Sequence, residues 1–334
     1  MSDIWTALLG LGDKLAAHVL LSAAAIMLGI AVALPMAIWA SRSPPIARIT
    51  LGFASLVQTI PALALLALFF PILLNLRAIF GEGLPTLGFL PAFLALSLYA
   101  LLPILRNAVT AQTNLDPGVI EAADGVGMTF WQRLRLVEAP LSSPYIMAGI
   151  RTAAVWTIGA ATLSTTIGQP SLGDPIFAGL QTQNWVLVLA GCIASAGLAI
   201  VADALLGTIE KGLRTRRRVL SLGGLAAVLL GILAALSVFF GNSDDDRIVI
   251  GAKSFSEQYV LARLIGQRLE ASGYTVAYRD GLGSAVAHRA VSSGAIDIMV
   301  DYTGTIWANE MQRSDNPDRD AMLALAMNGS PLPI

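Results

Sequence analysis

The sequence predicts an all-α polytopic membrane domain of about six spans, followed by a partial α/β lobe. Three observations carry this. The chain is 55% hydrophobic and 13% charged, about half the roughly 25% charge of a soluble domain. Six apolar runs approach the ~20 residues with which a helix crosses a bilayer. From residue 247 the pattern changes to short apolar strands alternating with helices. Charge divides at the same place: residues 1–240 hold 13 basic and 10 acidic side chains, and residues 241–334 hold 8 and 12. The expected domains are 1–215 (membrane domain), 216–246 (a further span and a polar linker) and 247–334 (the lobe).

The spans are expected at 18–40, 46–74, 84–105, 145–167, 185–206 and 219–240. Pro61 and Pro71 interrupt the second, Pro91 and Pro103 the third. Such breaks are tolerated where neighbouring helices or a watery cavity satisfy the freed backbone groups. Loop cations set the orientation. Arg42 and Arg48 follow the first span, and Arg106, Arg133 and Arg135 the third. Lys211, Arg214, Arg216, Arg217 and Arg218 follow the fifth, whereas the other side holds only Lys14 and Arg77. The odd-numbered loops are therefore expected in the cytoplasm and the lobe on the outer side. The stretch 241–246 (GNSDDD) reads as the linker leaving the membrane.

In the lobe, 247–252 reads as a strand. A helix at 257–271 follows, with Ser256 as N-cap and Gly273 as its stop. Then come a strand at 274–278, a helix at 284–293 and a strand at 297–302. Short connections between alternating strands and helices imply a parallel sheet. Tyr274 and Tyr278 alternate on a strand and are expected in the core.

Chemistry is excluded more easily than assigned. Cys192 is the single cysteine and lies in an apolar run, as a small packing residue does. His18 and His288 are far apart, and no ligand spacing for a metal occurs. No nucleophile–base arrangement, catalytic residue or nucleic-acid signature is present, so an enzyme is disfavoured. The N-terminus, acidic at Asp3 and Asp13, is not a clean signal peptide. Asp315, Asp318 and Asp320 read as a solvated face.

One stretch does not fit a plain membrane protein: EAADGVGMTFWQRLRLVEAP at 121–140. Asp116 and Pro117 read as N-cap and first helical position. A short helix is expected through Ala123, broken by Gly125 and Gly127. Thr129 with Gln132 fits a capping box, opening a second helix through Glu138 that Pro140 ends. Phe130, Leu134 and Val137 share one side of that helix. A charged hairpin with one apolar side at the cytoplasmic face fits a docking knob or an ordinary solvated loop, and spacing alone leaves both open.

The stretch resembles the EAA loop of ABC importer permeases: Glu-Ala-Ala, three residues, Gly, then about nine residues to an apolar-x-x-Pro. Glu121, Ala122, Ala123, Gly127 and Pro140 match it. The runs SLVQTIPALALLAL (55–68), YALLPILRN (99–107), AGIRTAAVWTIGAATLSTTIG (148–168) and GQPSLGDPIFAGL (168–180) resemble a narrower group, the permeases for glycine betaine, choline and carnitine. The likeness covers about residues 15–215. GAKSFSEQ (251–258) and DGLGSAVAHRAVSSGAIDIMVDYTGT (280–305) look like the start of that family's substrate-binding protein, with Ser256 where Thr is usual and Asp301 where Glu is usual. Fused permease–binding-protein chains occur in this family, for betaine-type solutes and for ergothioneine.

The resemblance implies a type I importer permease fused to part of a periplasmic-binding-protein-like lobe. It implies a bacterial inner (plasma) membrane, multi-pass protein surrounded by lipid, paired with a second permease copy, as a homodimer, and with separate ABC ATPase subunits. No G-x-x-x-x-G-K-[ST] occurs in the chain. ATP and Mg are therefore expected on the partner, with no cofactor in this chain. Glu121, Ala122, Ala123, Gly127 and Pro140 are the expected ATPase-coupling residues, with Glu121 in direct polar contact. The solute is expected to be glycine betaine, choline, carnitine or ergothioneine. A quaternary ammonium neither donates nor accepts hydrogen bonds, so it is held by aromatic faces. By the family motif, Tyr302 is the leading contact, joined by Gln258, Ser284, Thr303 and Phe255.

Binding proteins of this type have two lobes, and residues 247–334 match most of the first half of one. A truncated lobe and weak solute capture by residues 247–334 alone are the expectation. The alternatives are an amino-acid-type ABC permease, against which the SFSEQ and DYTGT runs weigh, and a membrane-anchored receptor without transport, which needs no ATPase dock.

Overall fold

The computed structural model describes residues 2–81, 84–241, 247–292, 294, 296–315 and 317–329. Of the linker expected at 241–246, only Gly241 falls among them. The membrane part is helical throughout. A short helix not anticipated from sequence, α1 (Ser2–Leu9), precedes α2 (Gly12–Ala40), α3 (Pro44–Thr59), α4 (Ala62–Phe80) and α5 (Phe89–Thr113). The hairpin α6 (Pro117–Gly125) and α7 (Phe130–Arg133) leads through a π turn (Leu134–Glu138) into α8 (Ala139–Ala161). A 3-10 segment (Thr162–Ile167), α9 (Gly173–Thr182), α10 (Trp185–Arg214) and α11 (Arg218–Gly241) complete it.

Five helices are long and apolar enough to cross a membrane, or six if α3 and α4 form one broken span, bent by 102°. Pro61 causes the break. A residue before proline is pushed out of the helical region, and Ile60 is extended at ψ 125°. Span three starts at Phe89 rather than 84, because Gly88 holds a left-handed φ of 75° just before it.

Small residues set how closely the helices approach. Ala33 and Ala37 of α2, Ala108 of α5 and Ala153 of α8 are fully buried in one cluster. At Gly149 of α8 an added Cβ would lie 2.7 Å from the Asn107 Cβ and 2.9 Å from the Pro103 carbonyl oxygen. Lipid offers no hydrophobic driving force between helices, so such close backbone packing replaces it. An ion network ties α8 to α10. Arg151 donates to both carboxylate oxygens of Asp203 at 3.0 and 2.8 Å and to Glu210 at 2.7 Å. Cys192, expected as a packing residue, is exposed on α10.

The lobe contains β1 (Arg247–Lys253), α12 (Ser256–Ala271), β2 (Thr275–Leu282), α13 (Ser284–Ser292), β3 (Ile298–Met299), α14 (Thr303–Thr305) with a π turn (Ile306–Glu310), and α15 (Arg319–Gly329). The strands are parallel in the order β2-β1-β3, with Ile250 opposite both Tyr278 and Ile298. Ile250 and Ala252 are fully buried beneath α12. The third strand is far shorter than the 297–302 expected. Asp297 instead accepts from the Val249 N–H through its side chain, and Asp301 turns inward to Lys253.

Ser256 is not the N-cap: it is the first helical residue, and its hydroxyl donates to the Gln181 carbonyl of α9 at 2.6 Å. Tyr274 precedes β2 and is exposed, not core, while Tyr278 is half-buried beneath Arg263, whose guanidinium carbon lies 3.8 Å from the ring centroid. The lobe rests on the membrane part. Arg279 donates to the Gly168 carbonyl, Leu282 packs by Gly168, and Leu87 joins the Leu282–Ala287 cluster.

Candidate functional site

The expected site residues fall in two places: the hairpin at 116–140 and the strand ends of the lobe. The hairpin folds as local sequence dictates. The Asp116 carboxylate accepts from the Gly118 N–H at 2.8 Å, with Pro117 in the first turn. The Thr129–Gln132 capping box is closed in both directions, at 2.8 and 3.4 Å. Gly127 makes the bend with φ 78°, which a side-chain-bearing residue adopts only at a cost.

Pro140 does not end the second helix. The π turn before it carries the chain directly into α8, with the Ala139 N–H donating to the Leu134 carbonyl. A proline ring clashes with the carbonyl four residues earlier in a regular helix. The widened turn at Leu134–Glu138 relieves that clash, so the hairpin and the span form one continuous lever. π turns of this kind recur at functional sites.

The apolar side read from the spacing is split: Leu134 faces inward, Val137 is half-buried and Phe130 stays 39% exposed. Leu134 is buried, and Phe130 lies under Arg42, 4.3 Å from guanidinium carbon to ring centroid. The outward apolar surface belongs to Val126, Trp131 and Leu136, which are 74%, 72% and 63% exposed. Among the five motif residues, Glu121, Ala122, Gly127 and Pro140 are exposed, while Ala123 is buried and anchors the hairpin.

An ion network missed in the sequence holds the hairpin to the rest of the domain. Buried Glu138 accepts from Arg42 at 2.8 Å and from Arg133 at 2.9 Å, and Arg133 reaches both oxygens of Asp124 at 2.5 and 2.7 Å. No periodicity links residues 42, 124, 133 and 138, so only the fold reveals them as a group.

In the lobe, all five expected solute contacts stand just beyond the carboxyl ends of the parallel strands. Phe255 and Gln258 follow β1, Ser284 follows β2, and Tyr302 and Thr303 follow β3. That edge is where open parallel sheets place ligands. Phe255 and Tyr302 are 45% and 44% exposed, leaving aromatic faces free. The Tyr302 hydroxyl donates to Glu257, a partner absent from the sequence reading. This bond holds the Glu257 carboxyl below its ordinary value and the Tyr302 phenol above its own.

Gln258 is buried, with its side chain beside the Tyr302 hydroxyl. Beneath the edge, Lys253 and Asp301 form a buried ion pair, and Asp301 also accepts from the Tyr302 N–H at 2.7 Å. The position of Tyr302 therefore depends on a pair 48 residues apart. Of the other aromatics, Trp307 is buried and donates to the Asp315 carbonyl at 2.7 Å. Among the described residues, no cluster of His, Cys, Asp and Glu fits a metal.

Residues 25–215 match the family model described as binding-protein-dependent transport system inner membrane component. Residues 246–329 match the substrate binding domain of ABC-type glycine betaine transport systems. The glycine betaine/carnitine/choline transport system permease protein OpuCB of Bacillus subtilis is 40% identical over 198 residues, covering 59% of this chain and 86% of that protein. The ergothioneine transport permease/ergothioneine binding protein EgtU of Helicobacter pylori is 33% identical over 278 residues, covering 78% of this chain and 48% of that one. The solved MetNI methionine ABC transporter, inward facing, superposes with TM-score 0.53 at 18% identity over 59% of this chain and 93% of the matched chain. That likeness concerns the fold alone. The chain belongs to the inner membrane components of binding-protein-dependent transport systems, the permease subunits of ABC transporters, and on the same polypeptide a segment resembles the substrate binding domain of ABC-type glycine betaine transport systems.

Proposed function

We propose that this chain imports a betaine-type solute such as glycine betaine, choline, carnitine or ergothioneine. A separate ATPase, which holds ATP and Mg, drives it through the hairpin. The supporting observation is the continuous lever: a hairpin with exposed Glu121, Ala122, Val126, Trp131 and Leu136 runs through a π turn into a membrane-crossing helix. Glu121 makes the polar contact with the ATPase, and Trp131 and Leu136 fill its apolar groove. Movement of the hairpin is carried along α8 and, through Arg151, to α10.

Two copies of the chain pair within the bacterial inner membrane, with the hairpin in the cytoplasm and the lobe outside. The strong excess of Lys and Arg on the hairpin side supports that orientation. Tyr302 and Phe255 offer aromatic faces to the quaternary ammonium, and Gln258, Ser284 and Thr303 offer polar contacts.

The test is co-purification with the cognate ATPase in nanodiscs, with hydrolysis measured against added glycine betaine, choline and carnitine. Copper-phenanthroline oxidation is expected to join an Ala122→Cys variant to a cysteine introduced on the ATPase surface, together with hydrolysis stimulated by at least one solute. A permease that captures no ATPase, or an Ala122→Cys residue reactive only from outside the cell, overturns the reading.

A further inference from the structure

Where the lobe rests on the membrane part, the two enclose a cavity of about 320 Å3, at the small end of the ~300–1,000 Å3 range of small-molecule sites. The membrane part supplies Leu87, Phe89 and Gln169, and the lobe supplies Arg279, Leu282 and Ile296. Among the described lining residues, Arg279 and Gln169 are the polar side chains. The cavity is separate from Tyr302 and Phe255, neither of which lines it.

Arg279 is the unusual member. A guanidinium has five donors, yet its hydrogen bond to the Gly168 carbonyl is long, at 3.4 Å. The nearby carboxylates are engaged elsewhere. Asp174 accepts from Lys14 at 2.5 Å and from Thr165 at 2.6 Å, and Asp280 accepts from Arg263 at 2.6 Å. Burial lowers the pKa of Arg279, opposed by the charge of Asp174. A guanidinium drawn largely out of water is costly until an anion meets it, and a carboxylate matches its fork in two parallel bonds. Phe89, which also lines the cavity and stacks on Phe93 at 5.6 Å between centroids, supplies an aromatic ring for a cation.

We propose that this cavity is a second solute site, built jointly by the permease and the lobe. It takes a small zwitterion with its carboxylate on Arg279 and its quaternary ammonium against Phe89. The proposal rests on the betaine-importer reading and narrows it: carboxylate-bearing betaines are preferred over choline, which lacks the anion. Because half the wall comes from the membrane part, the site exists only in the full chain.

The experiment is equilibrium binding of radiolabelled glycine betaine and of choline to the full chain in lipid nanodiscs. Arg279→Gln is expected to weaken glycine betaine about tenfold or more, the worth of a lost charge-assisted contact, and to leave choline unchanged. Arg279→Lys falls between. Phe89→Leu, which keeps the cavity apolar, weakens both solutes alike, and it tests the site even if the Arg279 variants do not fold. Equal effects of Arg279→Gln on the two solutes, or unchanged affinity in Phe89→Leu, overturn the site. So does a wild-type chain that binds neither solute, and ATPase capture through Ala122→Cys then reports separately whether the importer reading survives.

Discussion

Glu138 is the point at which the hairpin can be cut loose without touching its exposed surface. It is 5% exposed and accepts from Arg42 and Arg133, whose side chains are 29% and 18% exposed. Glu138→Ala removes two charge-assisted bonds, each worth about 1.5–3 kcal/mol. Water reaches both arginines and recovers part of this, and Arg133 keeps Asp124. The net loss is about 2–3 kcal/mol, below the ~3–5 kcal/mol of breaking a fully buried pair. The assay is unfolding in mixed micelles followed by tryptophan fluorescence, run as a double-mutant cycle with Arg42→Ala. A coupling of about 1–2 kcal/mol is expected, inside the range for groups sharing a network. In parallel, ATPase affinity should fall roughly tenfold or more, as about 1.4 kcal/mol of lost positioning implies. A coupling below about 0.5 kcal/mol, within the error of independent sites, refutes the network as the anchor. Lost stability with wild-type ATPase affinity refutes the idea that the anchor positions the hairpin.

Three further outcomes are expected. Gly127→Val should cost about 1–2 kcal/mol and Gly127→Asn clearly less, because the penalty is the left-handed backbone alone: an added Cβ meets nothing within 4 Å. Equal stability of the two variants, measured by thermal unfolding, contradicts this. Gly149→Ala should destabilise by about 1–3 kcal/mol, as overpacking does, since its Cβ meets Asn107 and the Pro103 carbonyl; Gly159→Ala, with open space around it, is the neutral control. The Tyr302–Glu257 bond should show a two-sided pH dependence. The Glu257 carboxyl is depressed, so its stabilising effect is present above its ordinary value and lost as pH falls through the folded-state pKa. The Tyr302 phenol is raised, so its effect is present below its ordinary value and lost as pH rises through the folded-state pKa. Difference titration of phenol absorbance between wild type and Tyr302→Phe reads it, and an unshifted phenol sinks it.

Sequence by itself determined the spans, the parallel lobe and the hairpin, because each follows from local physics. Runs of apolar residues must bury themselves in lipid, prolines break helices, and Asp116-Pro117 and Thr129 with Gln132 cap the helices they precede. The five solute candidates come from the family resemblance of the runs at 251–258 and 280–305, and the fold sets them along one sheet edge. Tertiary structure alone decided what those residues face. It turned Leu134 inward, set Phe130 beneath Arg42, and left Trp131 and Leu136 outside. It converted the helix stop at Pro140 into a π turn, and Ser256 from a cap into a contact with Gln181. It joined Arg42 to Glu138 and Lys253 to Asp301, and brought Arg279 to Gly168. The reason is physical: a charge far apart in the chain finds its partner through packing, and no periodicity of the sequence records that distance.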